Sequence, residues 1–475
     1  MKIPIRFLLI PFLLFGLATL HAQYIFPLKI SSDKRFLVDQ ENKPFPILGR
    51  TAWFIISQPE SGYKEFIANT ISHGYNSIEL SVITHWPMGN HAPFNGRGDI
   101  PFLKRLNGGD WDGKLTYKDI NTEGPDLLTP NEKYWAYVDD FLLYCETKGI
   151  LVFIFPGYVG YAGEEQGWMK ELVANGTART EAYGAWIATR FKKRKNIVWM
   201  LLGDMGKFNS DQKNAEAALI KGLKRIKEQQ STHYSAESHS GENCADNIDF
   251  GKEMTLNGSY TWELKVPVPY IARKAYMHQP VMPSYLLEEP YDEEGPDGNG
   301  YNPNATQPVR RFQWWGWLST IGGYISGNGY VWQFIDPVWQ QHLNTQAALD
   351  MGRLNNFINS IPWWKLVPSG LNRMKTLIVD ENNIDTTASY VSAAAASDGS
   401  LLVAYIPPAH QGSITVDMRA LSSKAYAKWF DPADGTYTEI SGSPFDNKTV
   451  LSFMPPGKNS ANETDWVLKL AVKKD

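Results

Sequence analysis

The sequence is poor in cysteine and has no excess of positive charge. Only two cysteines, Cys145 and Cys244, occur among 475 residues, which excludes a scaffold held by several disulfides and a four-cysteine zinc site. A single disulfide is compatible with this count, although Cys145 lies in a helical pattern where a small buried apolar residue fits. The formal net charge of -4 argues against a nucleic-acid-binding protein, which needs a basic face.

Several catalytic motifs are also missing. The chain contains no G-x-S-x-G turn of a serine hydrolase, no P-loop and no H-E-x-x-H zinc-binding helix. The acidic stretch from Asp292 to Gly300 lacks the ligand spacing and the closing glutamate of an EF-hand loop. The sequence therefore predicts neither a metal nor another cofactor, and favours chemistry that side chains perform alone.

Long apolar runs are confined to the amino terminus. Lys2 and Arg6 precede an apolar stretch from Phe7 to Leu20, and the small residue Ala22 follows, a pattern typical of a secretory signal peptide. The stretch is shorter than the roughly 20 residues that a spanning helix needs, and no later segment is long and apolar enough. We therefore expect cleavage near Ala22 and a secreted or periplasmic protein without a membrane span.

Aromatic residues and alternating patterns dominate the rest of the chain. The 17 tryptophans and 23 tyrosines supply flat rings that suit sugar binding as well as ordinary cores. Eight apolar β-rich segments alternate with helical patterns, which predicts an α/β fold, a (β/α)8 TIM barrel. The predicted strands span 44–56, 75–83, 150–158, 196–204, 233–239, 254–262, 280–289 and 322–334.

The pattern changes after Pro362. Short alternating segments such as LLVAYIPP and DWVLKL are separated by turn sequences, which is typical of an antiparallel β-sandwich. We place the boundary near residue 365. The predicted parts are a signal peptide (1–22), the barrel (23–364) and the sandwich (365–475).

Polar and aromatic residues follow the predicted barrel strands, at the face where barrel enzymes carry their active sites. Asp204 ends the fourth strand and Glu289 the seventh. Two carboxyl groups from opposite sides of a barrel mouth suit a glycosidase, in which one protonates the leaving oxygen and the other attacks the anomeric carbon or activates water. Asp204 also fits the alternative of a helix cap.

Other side chains at these strand ends are predicted to bind the sugar. Each tryptophan among them can instead pack in the core, and each histidine can have a structural role. The predicted substrate-binding residues are Trp53, His85, Trp86, His239, Glu242, Trp262, Glu288, Tyr291 and Trp332.

Glu288 and Glu289 are neighbours on the seventh predicted strand. Strand alternation sends them to opposite sides of the sheet, so only one can face a substrate, and periodicity alone does not choose between them. The acids that follow Tyr291 lie among Gly, Pro and Asn, and we expect a solvated loop beside the site.

Several segments resemble the apiosidase-like glycoside hydrolases. FLVDQENKPFPILGRTAWFIIS is similar to the opening strand of that family, NIVWMLLGD to its fourth strand, and PVMPSYLLEEPYD to its seventh, which ends in Glu-Pro-x-Tyr or a near variant. The carboxy-terminal segments LLVAYIPP, AKWFDPADGTY and DWVLKL resemble the module named for collagen binding in such proteins. The likeness extends from about residue 30 to the end of the chain.

The resemblance implies an exported bacterial glycoside hydrolase that releases apiose-linked side chains from the pectin rhamnogalacturonan II. It implies that Asp204 is the general acid/base and Glu289 the nucleophile of a retaining reaction on a polysaccharide or oligosaccharide. This sequence departs from the family pattern in three places: Arg50 replaces a common Asp, Glu288 precedes the Glu-Pro pair, and the loop to Asn304 is unusually acidic.

The substrate does not follow from the resemblance, because variable loops build the subsites. An arabinofuranosidase, a galactosidase and a protein that binds carbohydrate or matrix without catalysis remain as alternatives.

Overall fold

A computed structural model contains a barrel followed by a sandwich, which confirms the predicted fold class. The residues that the structure describes are 24–84, 92–114, 117–160, 163, 167–230, 232–239, 241–262, 268–294, 306–334 and 336–474. A small antiparallel sheet precedes the barrel and consists of β1 (Lys29–Ile30), β2 (Leu37–Val38) and β3 (Pro44–Phe45).

Eight parallel strands form the barrel, and each overlaps one of the predicted segments. In chain order they are β4 (Ile47–Thr51), β5 (Ser77–Ser81), β6 (Leu151–Phe155), β7 (Ile197–Leu202), β8 (Tyr234–Glu237), β10 (Asn257–Tyr260), β11 (Ser284–Glu288) and β12 (Ile321–Ser326), with the short β9 (Glu242–Asn243) antiparallel to β10. Strand β4 pairs with both β5 and β12, so the first and eighth strands are joined. Across the seam between β8 and β10, the Leu256 N–H donates to the Tyr234 carbonyl oxygen at 3.1 Å.

Helices cover the outside of the barrel. They are α1 (Glu60–Ser72), α2 (Ile120–Glu123), α3 (Glu132–Thr147), α4 (Met169–Phe191), α5 (Ser210–Arg225), α6 (Val268–Met277), α7 (Thr306–Thr320) and α8 (Gln346–Asn359). Every residue of the eight barrel strands is buried, which explains why these segments are apolar nearly throughout. Cys145 and Cys244 are free and buried. Among the described helices, none has both the length and the apolar character that a membrane crossing needs.

The sandwich consists of a six-stranded sheet and a two-stranded sheet. The large sheet has the order β13 (Leu366–Pro368), β14 (Ser392–Ala396), β15 (Leu401–Ile406), β20 (Trp466–Ala471), β17 (Tyr426–Phe430) and β18 (Tyr437–Glu439), and the small one pairs β16 (Ile414–Asp417) with β19 (Val450–Phe453). One face of the large sheet packs on the small sheet, and the other packs on α7 and α8 of the barrel.

Helix α7 forms the joint between the two parts. Its Trp314 stacks on Tyr405 of β15, with ring centroids 5.8 Å apart and planes 4° from parallel. Its Arg310, which is 1% exposed, donates to both oxygens of Asp465 at 2.7 and 2.8 Å and to Asp350 of α8 at 2.6 Å. Both carboxylates are fully buried, so the guanidinium compensates two charges that water cannot reach.

The buried pairs of Arg310 predict a large stability effect. Arg310→Met leaves Asp350 and Asp465 without this cation, and we expect the free energy of unfolding to fall by about 3–5 kcal/mol. The control Lys64→Met removes the exposed pair with Glu60, and we expect a much smaller loss of stability because water screens this pair. Chemical unfolding of both variants measures the difference, and equal costs would contradict the importance of the joint.

Candidate active site

Four carboxyl groups meet inside the barrel. Glu79 comes from β5, Asp204 follows β7, Glu237 ends β8 and Glu288 ends β11. Burial raises the pKa of Glu237 well above its usual range, and the charges of Glu288, Asp204 and Glu79 add to that rise. Asp204 and Glu288 thus lie close enough for their charges to interact, although they come from opposite strands of the barrel.

The backbone that presents Asp204 is strained. Leu202, Gly203 and Asp204 have positive φ values of 61°, 140° and 34°, and such conformations cost non-glycine residues of order 1–3 kcal/mol each. The fully buried Glu216 of α5 holds this turn, because its carboxylate accepts the Leu202 N–H at 3.1 Å. Gly203 is required, since a Cβ there would overlap the ring of Tyr158.

Two side chains approach the Asp204 carboxylate. The Tyr260 hydroxyl donates to Asp204 Oδ2 at 3.2 Å. His239 Nδ1 lies 3.8 Å from Asp204 Oδ1, and the His239 side chain is 45% exposed. Asp204 therefore lies at the boundary between the buried carboxyl groups and the open mouth of the barrel.

A β-bulge decides which glutamate of β11 enters the barrel. Ser259 of β10 lies opposite Leu286, whereas Tyr260 lies opposite Glu288, so Leu287 is the extra residue. Tyr285 faces the barrel interior, where its hydroxyl meets Ser235 Oγ at 2.9 Å. Glu288 faces the same interior, although it follows Tyr285 by three residues. In a regular strand, side chains on one face are separated by two or four residues.

Glu288 is held by hydrogen bonds inside the barrel. Its carboxyl group is hydrogen-bonded to the Tyr291 hydroxyl and to Glu237. The Trp53 Nε1–H donates to the same Tyr291 hydroxyl at 2.9 Å. Burial raises the pKa of Glu288, whereas the hydrogen bond from Tyr291 opposes that rise.

Glu289 lies on the other side of the strand. It is fully buried, and its carboxylate accepts a hydrogen bond from Gln313 of α7. Burial raises its pKa well above the usual range, and the charges of Glu288 and Glu294 add to this effect. Leu286 packs on Gly316 of α7, the helix that also carries Gln313. Leu286 and Glu289, on either side of the bulge, therefore both face outward toward α7. The structure therefore does not bring Glu289 to Asp204, and the interior position expected for it belongs to Glu288.

The predicted aromatic residues have different environments. Trp53 is 7% exposed and packs 5.1 Å from the ring centroids of Phe155 and Tyr158, so it supports Tyr291 and leaves little surface for a sugar. Trp262 is half-buried at the end of the sixth barrel strand, and Trp332 is half-buried against Phe54.

The predicted polar residues lie at the mouth where the structure describes them. Glu242 is half-buried, and its carboxylate accepts a hydrogen bond from Ser238 Oγ at 2.9 Å in the loop that carries His239. His85 and Trp86 lie outside the described residues. Their roles and those of Trp262 and Trp332 stay predictions.

Asp292, Glu293 and Glu294 do not have the solvated environment that the sequence suggests, and Asp297 lies outside the described residues. Asp292 is 3% exposed and accepts hydrogen bonds from Asn328 Nδ2 at 2.9 Å and Thr345 Oγ1 at 2.6 Å. Glu293 is paired with His342 at 2.6 Å. Glu294 accepts the Trp262 Nε1–H at 3.1 Å and the Tyr291 N–H at 3.0 Å. These acids fix the loop to the barrel because each one satisfies several donors.

Arg50, the departure in the first strand, lies away from the carboxyl groups. Its guanidinium donates to Asn69 of α1 at 2.7 Å and lies 4.2 Å from the ring centroid of Phe66. Burial lowers its pKa to about 10. The substitution therefore changes the packing of the first strand on α1 and adds no charge to the carboxyl cluster.

The sequence reasoning missed Glu79, Glu237, Tyr158 and Tyr260. Glu79 and Glu237 are acids within segments that are otherwise apolar and buried, and that pattern could have identified them. The two tyrosines follow or end strands, like many structural aromatic residues, and carry no comparable signal. Among the described residues, no group of three or more His, Cys, Asp or Glu is placed to hold a metal ion.

The arrangement has the components of two-carboxylate hydrolysis. Asp204 is partly open to the mouth and can exchange protons, whereas Glu288 is buried and oriented by Tyr291. Such a pair from opposite strands can act on a glycosidic bond between them.

Comparisons with known proteins give a family for most of the chain and solved structures of similar fold. Residues 31–365 match the family model described as an apiosidase-like catalytic domain, and residues 374–471 match one described as a candidate collagen-binding domain of a collagenase. A solved structure titled "Glycoside hydrolase" has a TM-score of 0.74 and 19% identity, covering 95% of this chain and 99% of that chain. A family 5 glycoside hydrolase from Bacteroides vulgatus ATCC 8482 has a TM-score of 0.72 and 19% identity, covering 94% and 95%. No curated protein sequence matches the chain.

The turn at Gly203 predicts a specific stability loss. Gly203→Ala adds a clash with Tyr158 to the strain of a positive φ, whereas Gly176→Ala, at a φ of 72°, adds a Cβ that meets no atom within 4 Å. We expect Gly203→Ala to cost roughly 1–3 kcal/mol more than Gly176→Ala in chemical unfolding. Equal costs would mean that the Tyr158 ring moves aside freely.

Proposed function

The chain belongs to the family of apiosidase-like glycoside hydrolases, and we propose that it hydrolyses its substrate with retention of configuration, using Asp204 as general acid/base and Glu288 as nucleophile. One observation carries the assignment of the nucleophile. Glu288 shares the barrel interior with Asp204, whereas Glu289 is bound to Gln313 behind the strand. The enzyme is a glycosidase, and the choice of Glu288 over Glu289 is the part that needs a test.

The proposed reaction has two steps. In the first, a Glu288 oxygen attacks the anomeric carbon, the bond to the leaving oxygen breaks, and Asp204 gives its proton to that oxygen. In the second, water gives a proton to Asp204 and attacks the anomeric carbon, and Glu288 leaves as a carboxylate. The hydrogen bond from Tyr291 supports Glu288 most when it is charged, at the start and the end of the cycle.

The proposed substrate is an apiose-linked side chain of a plant polysaccharide. The description of the matching family model supports this class, and the half-buried Trp262 and the half-exposed His239 offer a ring and a hydrogen-bonding group at the mouth. We also propose that the enzyme is exported, which the signal-peptide pattern of residues 1–22 supports.

Three single variants test the catalytic pair. Asp204→Asn and Glu288→Gln are expected to lower kcat by about 10²–10⁴, because each removes a group that takes part in bond making or proton transfer. Glu289→Gln is the matched control, since its side chain faces α7, and its kcat is expected to stay within about tenfold of the wild type. The measurement is turnover of aryl glycosides and pectic oligosaccharides, with product configuration followed by NMR.

The outcomes separate the possible assignments. A large loss of kcat in Glu289→Gln, with kcat retained in Glu288→Gln, would mean that Glu289 is the nucleophile. Thermal unfolding of each variant shows whether a loss of activity reflects misfolding. Release of arabinose or galactose in place of apiose would keep the mechanism and change the substrate.

A further inference from the structure

Glu237 has no part in the two-step reaction, yet it contacts the proposed nucleophile. It ends β8, is 2% exposed, and its carboxyl group is hydrogen-bonded to that of Glu288. Two ionised carboxylates have no proton to share and repel each other, so this contact requires that the pair holds at least one proton.

The surroundings indicate which partner carries the proton. The Tyr291 hydroxyl donates a hydrogen bond to Glu288 and accepts one from the Trp53 Nε1–H. These donors stabilise a negative charge on Glu288. The second oxygen of Glu237 is buried and has no hydrogen-bond partner among the described residues. An ionised Glu237 would leave that oxygen charged and unsolvated, and the neutral acid avoids this cost.

The groups that face Glu237 also disfavour its ionisation. The carboxyl groups are Glu288 from β11, Asp204 from the turn after β7 and Glu79 from β5. Three tyrosines complete the surroundings and are neutral at ordinary pH: Tyr158 after β6, Tyr260 of β10 and Tyr285 of β11. His239 lies two residues away but beside Asp204 at the mouth.

We propose that Glu237 is a positioning residue that stays protonated and donates its proton to the Glu288 carboxylate. The proposal rests on the proposed function of Glu288. The hydrogen bond is strong while Glu288 is an anion and weakens when Glu288 becomes a neutral glycosyl ester. It therefore favours release of the carboxylate in the second step. Glu237 keeps its proton throughout, so no proton is transferred to solvent.

The pH profile of kcat/KM tests this role. Loss of a donor makes Glu288 harder to ionise, so the acid limb is expected to move to higher pH in the order wild type, Glu237→Gln, Glu237→Leu. The amide of Gln still donates a hydrogen bond, and Glu237→Gln is expected to keep kcat within about tenfold, whereas Glu237→Leu should lose about 10–100-fold. Glu181→Gln is the control, because this carboxyl group of α4 pairs with Lys221 of α5 at 2.7 Å, away from Glu288 and Asp204.

A second measurement does not depend on activity. Infrared difference spectra of wild type minus Glu237→Gln at pH 7 are expected to contain the carbonyl band of a protonated carboxylic acid. A carboxylate band in its place, or an acid limb that stays unchanged in both variants, would overturn the proposal. Failure of the proposed function is distinct, because Glu288→Gln would then retain turnover whatever the state of Glu237.

Discussion

The bulge at Leu287 is the constraint on which the carboxyl cluster depends. It shifts the alternation of β11, so that Tyr285 and Glu288 face the interior while Leu286 and Glu289 face α7. A shift of one residue in a strand exchanges its two faces, and here it exchanges which carboxyl group meets Asp204. The Tyr291–Trp53 hydrogen bonds hold the inner face and Gln313 the outer one, so neither glutamate can replace the other without breaking buried contacts.

Concentrating acids in a barrel opposes stability. Each buried carboxyl group must be protonated or hydrogen-bonded, and the strained backbone from Leu202 to Asp204 adds a further cost. Burial of the apolar strands and of the tryptophan-rich helices around the cluster offsets this loss of stability. A local violation of packing rules inside an otherwise consistent fold is typical of a functional site.

Much of the fold can be predicted from the sequence. Each barrel strand is buried on both faces, so it consists of an apolar run that the sequence reveals. The site follows less completely. The Gly-Asp pair that ends the fourth strand can be recognised in the sequence. A bulge leaves no periodic pattern, so the sequence alone gives Glu288 and Glu289 the same claim to the nucleophile. The family resemblance favours Glu289, whose side chain faces outward in the structure. Glu293 and Glu294 look solvated in the sequence because Gly and Pro surround them. In the structure His342 pairs with Glu293, which is buried, and Trp262 donates to Glu294, which is half-buried. Those contacts join residues far apart in the chain, where local composition carries no information.

Helix α7 connects this site to the sandwich. Arg310 and Trp314 bind Asp465 and Tyr405, while Gln313 on the same helix holds Glu289 next to the proposed nucleophile. The joint also restricts what the sandwich can bind. One face of its large sheet packs against α7 and α8 and the other against β16 and β19, while all three residues of the edge strand β18 are exposed. A binding function of this module would have to use its edges, its loops or the outer side of the small sheet, where Val450 and Met454 are exposed.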